Sequence, residues 1–303
     1  MPTYFLGANT KDGFYSLYRN FPPAENAFLH VIKGGPGTGK SSLLRAIADA
    51  GEARGLEVHR VLCSGDPDSL DGVYLPALSL AWVDGTAPHV QEPGLFGVDG
   101  DYVNLTDFFA LPFSSEEKAR LTALQREYQG KYREAYGLLA ACSALGGDNT
   151  ASCPEAELWR HIDALPQRDG PGRLTRRFLS AISCKGRLQL RRELDGYTVV
   201  SASPEAIGAA AQAVRRRGWN GILCPSPLDP TQAEALLLPE KALAFTALSA
   251  PKQESLVLMS EAILRLKEAK ALHDEMEAVY KPHMDFPALS AYTHRLVEQV
   301  FEP

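Results

Sequence analysis

The chain has no Cys-x-x-Cys pair, no His-Glu-x-x-His run, no excess of positive charge and no apolar stretch near the ~20 residues that span a bilayer. Each absence removes a class of protein. The five cysteines, Cys63, Cys142, Cys153, Cys184 and Cys224, are odd in number and scattered, so they read as free thiols of a reducing compartment and not as a disulfide framework. The seven histidines lack ligand spacing, which leaves no case for zinc and makes Mg²⁺ the only metal implied. With 31 Lys and Arg against 37 Asp and Glu, the net charge is -6, so no general attraction to nucleic acid or anionic lipid is expected. The opening residues carry neither the basic segment nor the long apolar run of a signal peptide, and the expectation is a cytoplasmic protein without a membrane partner.

What is present is an ordinary globular composition, 45% hydrophobic and 22% charged over 303 residues, enough for a substantial core in one large domain or two average ones. Residues 28–33 (FLHVIK) form an apolar, partly β-branched run ending at a glycine cluster, and 41–55 then show helical spacing through Leu44, Ile47 and Ala48. Further strands are expected at 56–63 and 78–84, the alternation of a parallel sheet covered by helices. From 114 to 145, Leu121, Leu124, Tyr128, Tyr132, Ala135, Leu138, Cys142 and Leu145 recur at helical spacing. A similar stripe after Pro251 runs through Met259, Ile263, Leu266, Ala269, Met276 and Tyr280. The two are expected to pack as a long antiparallel helical pair, and burial alone accounts for both stripes. The turn-rich stretch 166–172 (PQRDGPG) is the linker candidate.

The second half echoes the first. Phe5-Leu6-Gly7-Ala8 followed by Gly13 matches Phe178-Leu179-Ser180-Ala181 followed by Gly186. Asp66-Pro67, Leu75-Pro76 and Ala81-Trp82-Val83 match Asp229-Pro230, Leu238-Pro239 and Ala244-Phe245-Thr246 in constant register, with Cys63 and Cys224 just upstream. This order suggests a duplication. The expected organisation is a nucleotide-binding α/β repeat over 1–112, a helical segment over 113–165, a degenerate α/β repeat over 173–250, and C-terminal helices over 251–303.

Gly34-Gly35-Pro36-Gly37-Thr38-Gly39-Lys40-Ser41 satisfies G-x-x-x-x-G-K-[ST] between an expected strand and an expected helix, the context that the phosphate-binding motif requires. In such a loop the glycines let backbone N–H groups turn inward onto phosphate oxygens at the positive end of the helix. The nucleotide site is therefore 34–42, Ser42 included, with Lys40 bridging β- and γ-phosphates and the Ser41 hydroxyl on Mg²⁺. Asp84 ends the run LSLAWVD, where a carboxylate can hold the metal shell; capping the turn Asp84-Gly85-Thr86 is its other reading. Asp66, Asp68 and Asp71 crowd the stretch 64–72 (SGDPDSLDG), expected as a loop, and are able to hold an acceptor or orient water, or to act as turn and cap residues. His89 and Glu92 follow Asp84 in one loop and are candidates for positioning an attacking water, with a solvated loop as the alternative.

In the second half, aligning Pro204 with Pro36 sets Ala202, Ile207, Gly208 and Ala209 opposite Gly34, Gly39, Lys40 and Ser41, so the phosphate-binding chemistry is gone. Arg173, Arg176 and Arg177 at its start are either structural arginines or hold an arginine finger.

With FLGANTKDGFYSL, VIKGGPGTGKSSLL, CSGDPDSLDGVYLP and VDGTAPH in order, the chain resembles an uncharacterised bacterial family of two-repeat P-loop proteins described as predicted ATPases or nucleotide kinases. The resemblance extends through the long helix, FLSAIS and Met284-Asp285-Phe286. It implies a P-loop NTPase-type α/β fold, 34–42 as the nucleotide site and Asp84 as a metal-side acid. In that family the second repeat commonly carries its own P-loop, and VVSASPEAIGAA departs from this. The expected activity is slow Mg-ATP hydrolysis driving a conformational switch, with an unknown protein partner or acceptor substrate. A small-molecule or nucleotide kinase and a non-hydrolysing nucleotide sensor are the alternatives. ATP over GTP rests on the resemblance, since no Asn-Lys-x-Asp motif is present.

Overall fold

A computed structural model describes residues 2–24, 26–148, 155–247, 250, 251 and 253–302; Cys153 lies outside the described residues. Two compact units comprise Met1–Thr3, Phe21–Arg133 and Leu264–Pro303 on one side, and Tyr4–Asn20 and Glu134–Ile263 on the other. Among the described residues six α-helices run in chain order: α1 (Lys40–Ala53), α2 (Ser115–Ala144), α3 (Glu155–Asp163), α4 (Pro204–Arg216), α5 (Gln253–Tyr280) and α6 (Phe286–Phe301). Among the described residues, no helix is long and apolar enough to cross a membrane.

The first unit is built on a six-stranded sheet ordered Thr3–Phe5, His59–Leu62, Leu70–Leu75, Leu80–Asp84, Phe28–Lys33, Gly100–Asn104. Phe28–Lys33 is parallel to both of its neighbours, whereas Leu70–Leu75 is antiparallel to both of its own. The fold is therefore α/β with a mixed sheet, and the expectation of a purely parallel one is corrected. The difference arises at Leu70–Leu75, where 64–72 was expected to be a loop: Asp71 and Gly72 are poor strand formers and hide a strand whose six residues are all buried. The connection 63–69 is also shorter than the roughly dozen residues that a parallel crossover needs, so an antiparallel turn is what remains.

Leu43, Leu44, Ile47 and Ala48 line one face of α1 and pack with Ile32, Val73 and Trp82 of the sheet. Burying each of the larger three side chains stabilises the layer by about 2 kcal/mol. Leu289 of α6 joins the same core. Within this unit Leu124 of α2 meets Leu272 and Met276 of α5, and Lys131 pairs with Glu268 at 2.9 Å. Within the second unit the Cys142 thiol meets the Ser255 carbonyl at 3.4 Å. The numbers fall along α5 as they rise along α2, so the helices are antiparallel. Leu145, expected on the buried stripe, is 42% exposed, while Leu139 is fully buried.

The second unit has a five-stranded sheet ordered Leu174–Arg176, Gly221–Pro225, Ala233–Leu238, Leu243–Ala247, Thr198–Ala202. Its antiparallel member is Ala233–Leu238, and its outer pairs are parallel. Helices α3 and α4 cover it through Leu158, Ile162, Ile207, Ala210 and Val214. The stretch 166–172 lies inside this unit, held by the Trp219 indole N–H on the Pro166 carbonyl (2.8 Å) and the Arg168 guanidinium over the Trp219 ring (3.3 Å).

Candidate functional site

The loop after Phe28–Lys33 turns through Gly37 (φ 67°) and Gly39 (φ 92°), left-handed conformations that glycine adopts at least cost. Gly39 is the N-cap of α1 and has no side chain to accept from the first helical N–H groups. Those groups lack intrahelical partners and sit at the positive end of the helix, which suits an anion. Lys40 folds across the same loop, its Nζ donating to the carbonyls of Gly34 (3.0 Å) and Gly35 (2.8 Å). The buried Thr38 hydroxyl donates to the Gly35 carbonyl at 2.9 Å.

Asp84 ends the strand beside this loop, in register with Ile32. Its Oδ2 lies 3.7 Å from Lys40 Nζ, while its Oδ1 accepts from the Thr86 N–H (2.9 Å) and hydroxyl (2.5 Å). The Thr86 bonds are those of a turn cap, and the other oxygen faces the lysine of the loop. The antiparallel strand Leu70–Leu75 brings Asp71 alongside, with Oδ2 3.5 Å from His89 Nε2. Asp71, Asp84 and His89 are all buried, and their donor atoms lie within 4.8 Å of one another. The Ser41 hydroxyl oxygen accepts from the Leu70 N–H at 2.9 Å, tying the start of α1 to the strand that carries Asp71. Part of Cys63 reaches the surface, but its thiol is enclosed; burial first, and the Asp71 charge second, pushes its pKa well up. Burial likewise raises the Tyr128 hydroxyl nearby.

The other candidates are elsewhere. Glu92 is half exposed and bound to Lys33 (2.8 Å) and to the Tyr102 hydroxyl; Lys33 chiefly, then Tyr102, holds its carboxyl below the usual range. Asp66 pairs with Lys270 at 3.4 Å, and Asp68 is exposed, its carbonyl accepting from Arg45 at 2.7 Å. Neither belongs to the buried cluster. In the second unit Arg177 stacks over Tyr4 at 4.9 Å and Arg176 reaches the Tyr15 hydroxyl at 3.4 Å. Ile207, Gly208 and Ala209 lie inside α4 and not in a loop, so aligning the prolines misjudges the correspondence. Only Ser203 separates the strand Thr198–Ala202 from α4, and Pro204 occupies the first helical position that Lys40 has in α1.

Sequence reasoning missed what lies on the loop. A Cβ at Gly35 would stand 2.9 Å from Tyr280, one at Gly37 3.1 Å from the Glu277 Cβ, and one at Gly39 2.9 Å from Leu289. The end of α5 and the start of α6 therefore rest on three glycines. Tyr280 is held there by Phe113 (5.1 Å) and Phe109 (6.1 Å). One turn earlier, His273 stands 3.5 Å from Glu277, and burial lowers its pKa. The only advance signal was Tyr280 as the last member of a core stripe. The arrangement sets a fixed lysine and an open helix N-terminus, suited to an anion, beside buried carboxylates suited to a cation, with α5 and α6 in contact with the loop. No family model matches the chain, and neither the curated proteins nor the solved structures contain a match.

Proposed function

We propose that this chain is a cytoplasmic P-loop NTPase of the two-repeat bacterial type, which binds Mg-ATP on 34–42 and hydrolyses it slowly to drive a conformational switch. The observation that carries this reading is Lys40, folded across Gly34 and Gly35 and 3.7 Å from the buried carboxylate of Asp84. The glycine loop and the start of α1 would hold the phosphates, and Lys40 would bridge the β- and γ-oxygens. Buried oxygen donors beside an anion-binding loop fit magnesium, with Ser41 and Asp84 as its holders. When bound, magnesium neutralises charge building on the phosphates. Positioning of the attacking water falls to His89 backed by Asp71, since Glu92 is committed to Lys33 and Tyr102. The switch element would be the α5–α6 corner, because Tyr280, Glu277 and Leu289 touch the loop itself.

Two further parts of the reading have their own support. A duplication is favoured by the two sheets, whose shared five positions follow the same order with the antiparallel strand third in each. The second repeat, without glycine loop or lysine, would serve as scaffold or partner surface. Phosphoryl transfer to a small acceptor is the second functional reading, favoured by the His89–Asp71 pair as a general base. The dispersal of Asp66 and Asp68 opposes it.

The test is a titration of wild type and Lys40→Ala with a fluorescent ATP analogue and Mg²⁺, with phosphate release measured in the same samples. Binding lost in the variant and slow release by wild type are the expected results. Binding without release moves the choice to the kinase or a sensor. Equal binding by both proteins overturns the nucleotide site.

A further inference from the structure

Two buried carboxylates side by side are costly, because each charge withdrawn from water must be matched by a cation or a proton. The Asp84 and Asp71 side chains are 11% and 6% exposed, with Lys40 3.7 Å from the first and the His89 imidazole, itself 8% exposed, 3.5 Å from the second. Thr86 occupies Asp84 Oδ1, and Oδ2 lies 3.7 Å from Lys40 Nζ. Asp71 Oδ2 and His89 Nε2 face each other at 3.5 Å. Donor atoms on one metal at about 2.1 Å lie up to about 4.2 Å apart, so atoms already within 4.8 Å need only small rotations to share an ion. A second set, His273, Asp274 and Glu277, meets the same distance limit but is partly exposed, and Asp274 lies at the surface. Water and salt can compensate that set, whereas the enclosed one depends on what the protein and an ion provide.

We propose that Asp71, Asp84 and His89 form a resident divalent-cation site that takes a first-row transition ion such as Mn²⁺ directly, in the absence of nucleotide. One imidazole and two carboxylates are a mixed nitrogen and oxygen donor set; magnesium favours all-oxygen shells, and imidazole shifts preference toward transition metals. Three protein ligands leave coordination positions open, and the group stands beside Lys40, where an anionic oxygen can complete the shell. The site does not need the nucleotide reading, although Asp71, Asp84 and His89 each have a role in both.

The experiment uses the full, nucleotide-free chain and Mn²⁺ alone, followed by electron paramagnetic resonance with pulsed detection of nitrogen coupling. Expected are one bound Mn²⁺ per chain and a ¹⁴N coupling from imidazole. His89→Asn should lose that coupling and bind about tenfold or more weakly, Asp71→Asn should also bind more weakly, and His273→Ala should change neither quantity. Lys40→Ala should keep the ion while losing the nucleotide, so failure of the metal site and failure of the nucleotide site are separable. Absence of Mn²⁺ binding without nucleotide, a coupling that survives in His89→Asn, or complete displacement of Mn²⁺ by an equal concentration of Mg²⁺ would each overturn the proposal. The wild-type coupling decides the matter even where His89→Asn fails to fold.

Discussion

The two sheets share five strand positions in the same order, yet the helices α1 and α4 begin in opposite ways. In α4, Ser203 is an N-cap whose hydroxyl oxygen accepts from the Ala206 N–H at 3.1 Å, and Pro204 fills the first helical position. That helix start is satisfied from within. In α1 the N-cap is Gly39, with no side-chain bond, and the helix opens on Lys40. The neighbouring acids diverge in parallel: Asp84 ends one strand where Ala247 ends the other. Asp71 faces His89, whereas the Ser180 hydroxyl lies 2.7 and 2.6 Å from the two oxygens of Glu234, shared between them, with Arg187 at 3.9 Å. The contrast teaches that one backbone scaffold can either spend its helix N-terminus on its own side chains or leave it open to an external anion.

The strongest way to break this contrast is Lys40→Ala, expected to weaken Mg-nucleotide binding by about a hundredfold or more, about 2.7 kcal/mol. Ser203→Ala should leave that binding unchanged, and the same titration reads both. Next come the glycines. Gly37→Ala meets a left-handed backbone and the Glu277 Cβ 3.1 Å away, so a loss of about 1–3 kcal/mol in denaturant unfolding is expected. Gly208→Ala, in α4 with open space around it, should stabilise by about 0.5–1 kcal/mol. Ser203→Ala should cost about 1 kcal/mol, read as a lower thermal midpoint.

The smallest effect concerns Glu234, whose carboxyl is raised above 4.5 by burial, with Ser180 and Arg187 working the other way. The folded chain holds this proton longer than the unfolded chain, so stability falls as pH rises from about 4.5 through the folded value. Glu234→Gln should flatten that fall, and thermal midpoints at stepped pH will show it. An unchanged slope would mean that Glu234 is not the group responsible.

How much was legible in the sequence follows the range of the interactions involved. The strand Phe28–Lys33, the glycine loop and the start of α1 are local, and their residue types announce them. Asp84 at a strand end was readable because LSLAWVD ends in its only charge. The strand Leu70–Leu75 was hidden because its apolar residues are interrupted by Asp71-Gly72, which reads as a turn until the neighbouring strands supply partners. Asp66, Asp68 and Asp71 looked equivalent in sequence; only the pairing of the strands sends Asp71 inward to His89 and leaves Asp66 to Lys270. The seating of Tyr280, Glu277 and Leu289 on the loop is tertiary and has no local signature. In the second unit, proline was the wrong anchor because it fills the first helical position at 204 and sits in a loop at 36.

The three glycines beneath α5 and α6 also bear on how this loop can vary. Side chains at Gly35, Gly37 and Gly39 would each collide with a different neighbour, Tyr280, Glu277 or Leu289. A saturation library across the loop should therefore reject substitutions at 35, 37 and 39, and at Gly34, where a Cβ would stand 2.5 Å from Thr38 Oγ1, even in selections that score folding and ignore ligand. The glycines would be held in place twice, once by whatever the loop grips and once by the helices that rest on it, so their invariance alone could never measure the strength of either constraint.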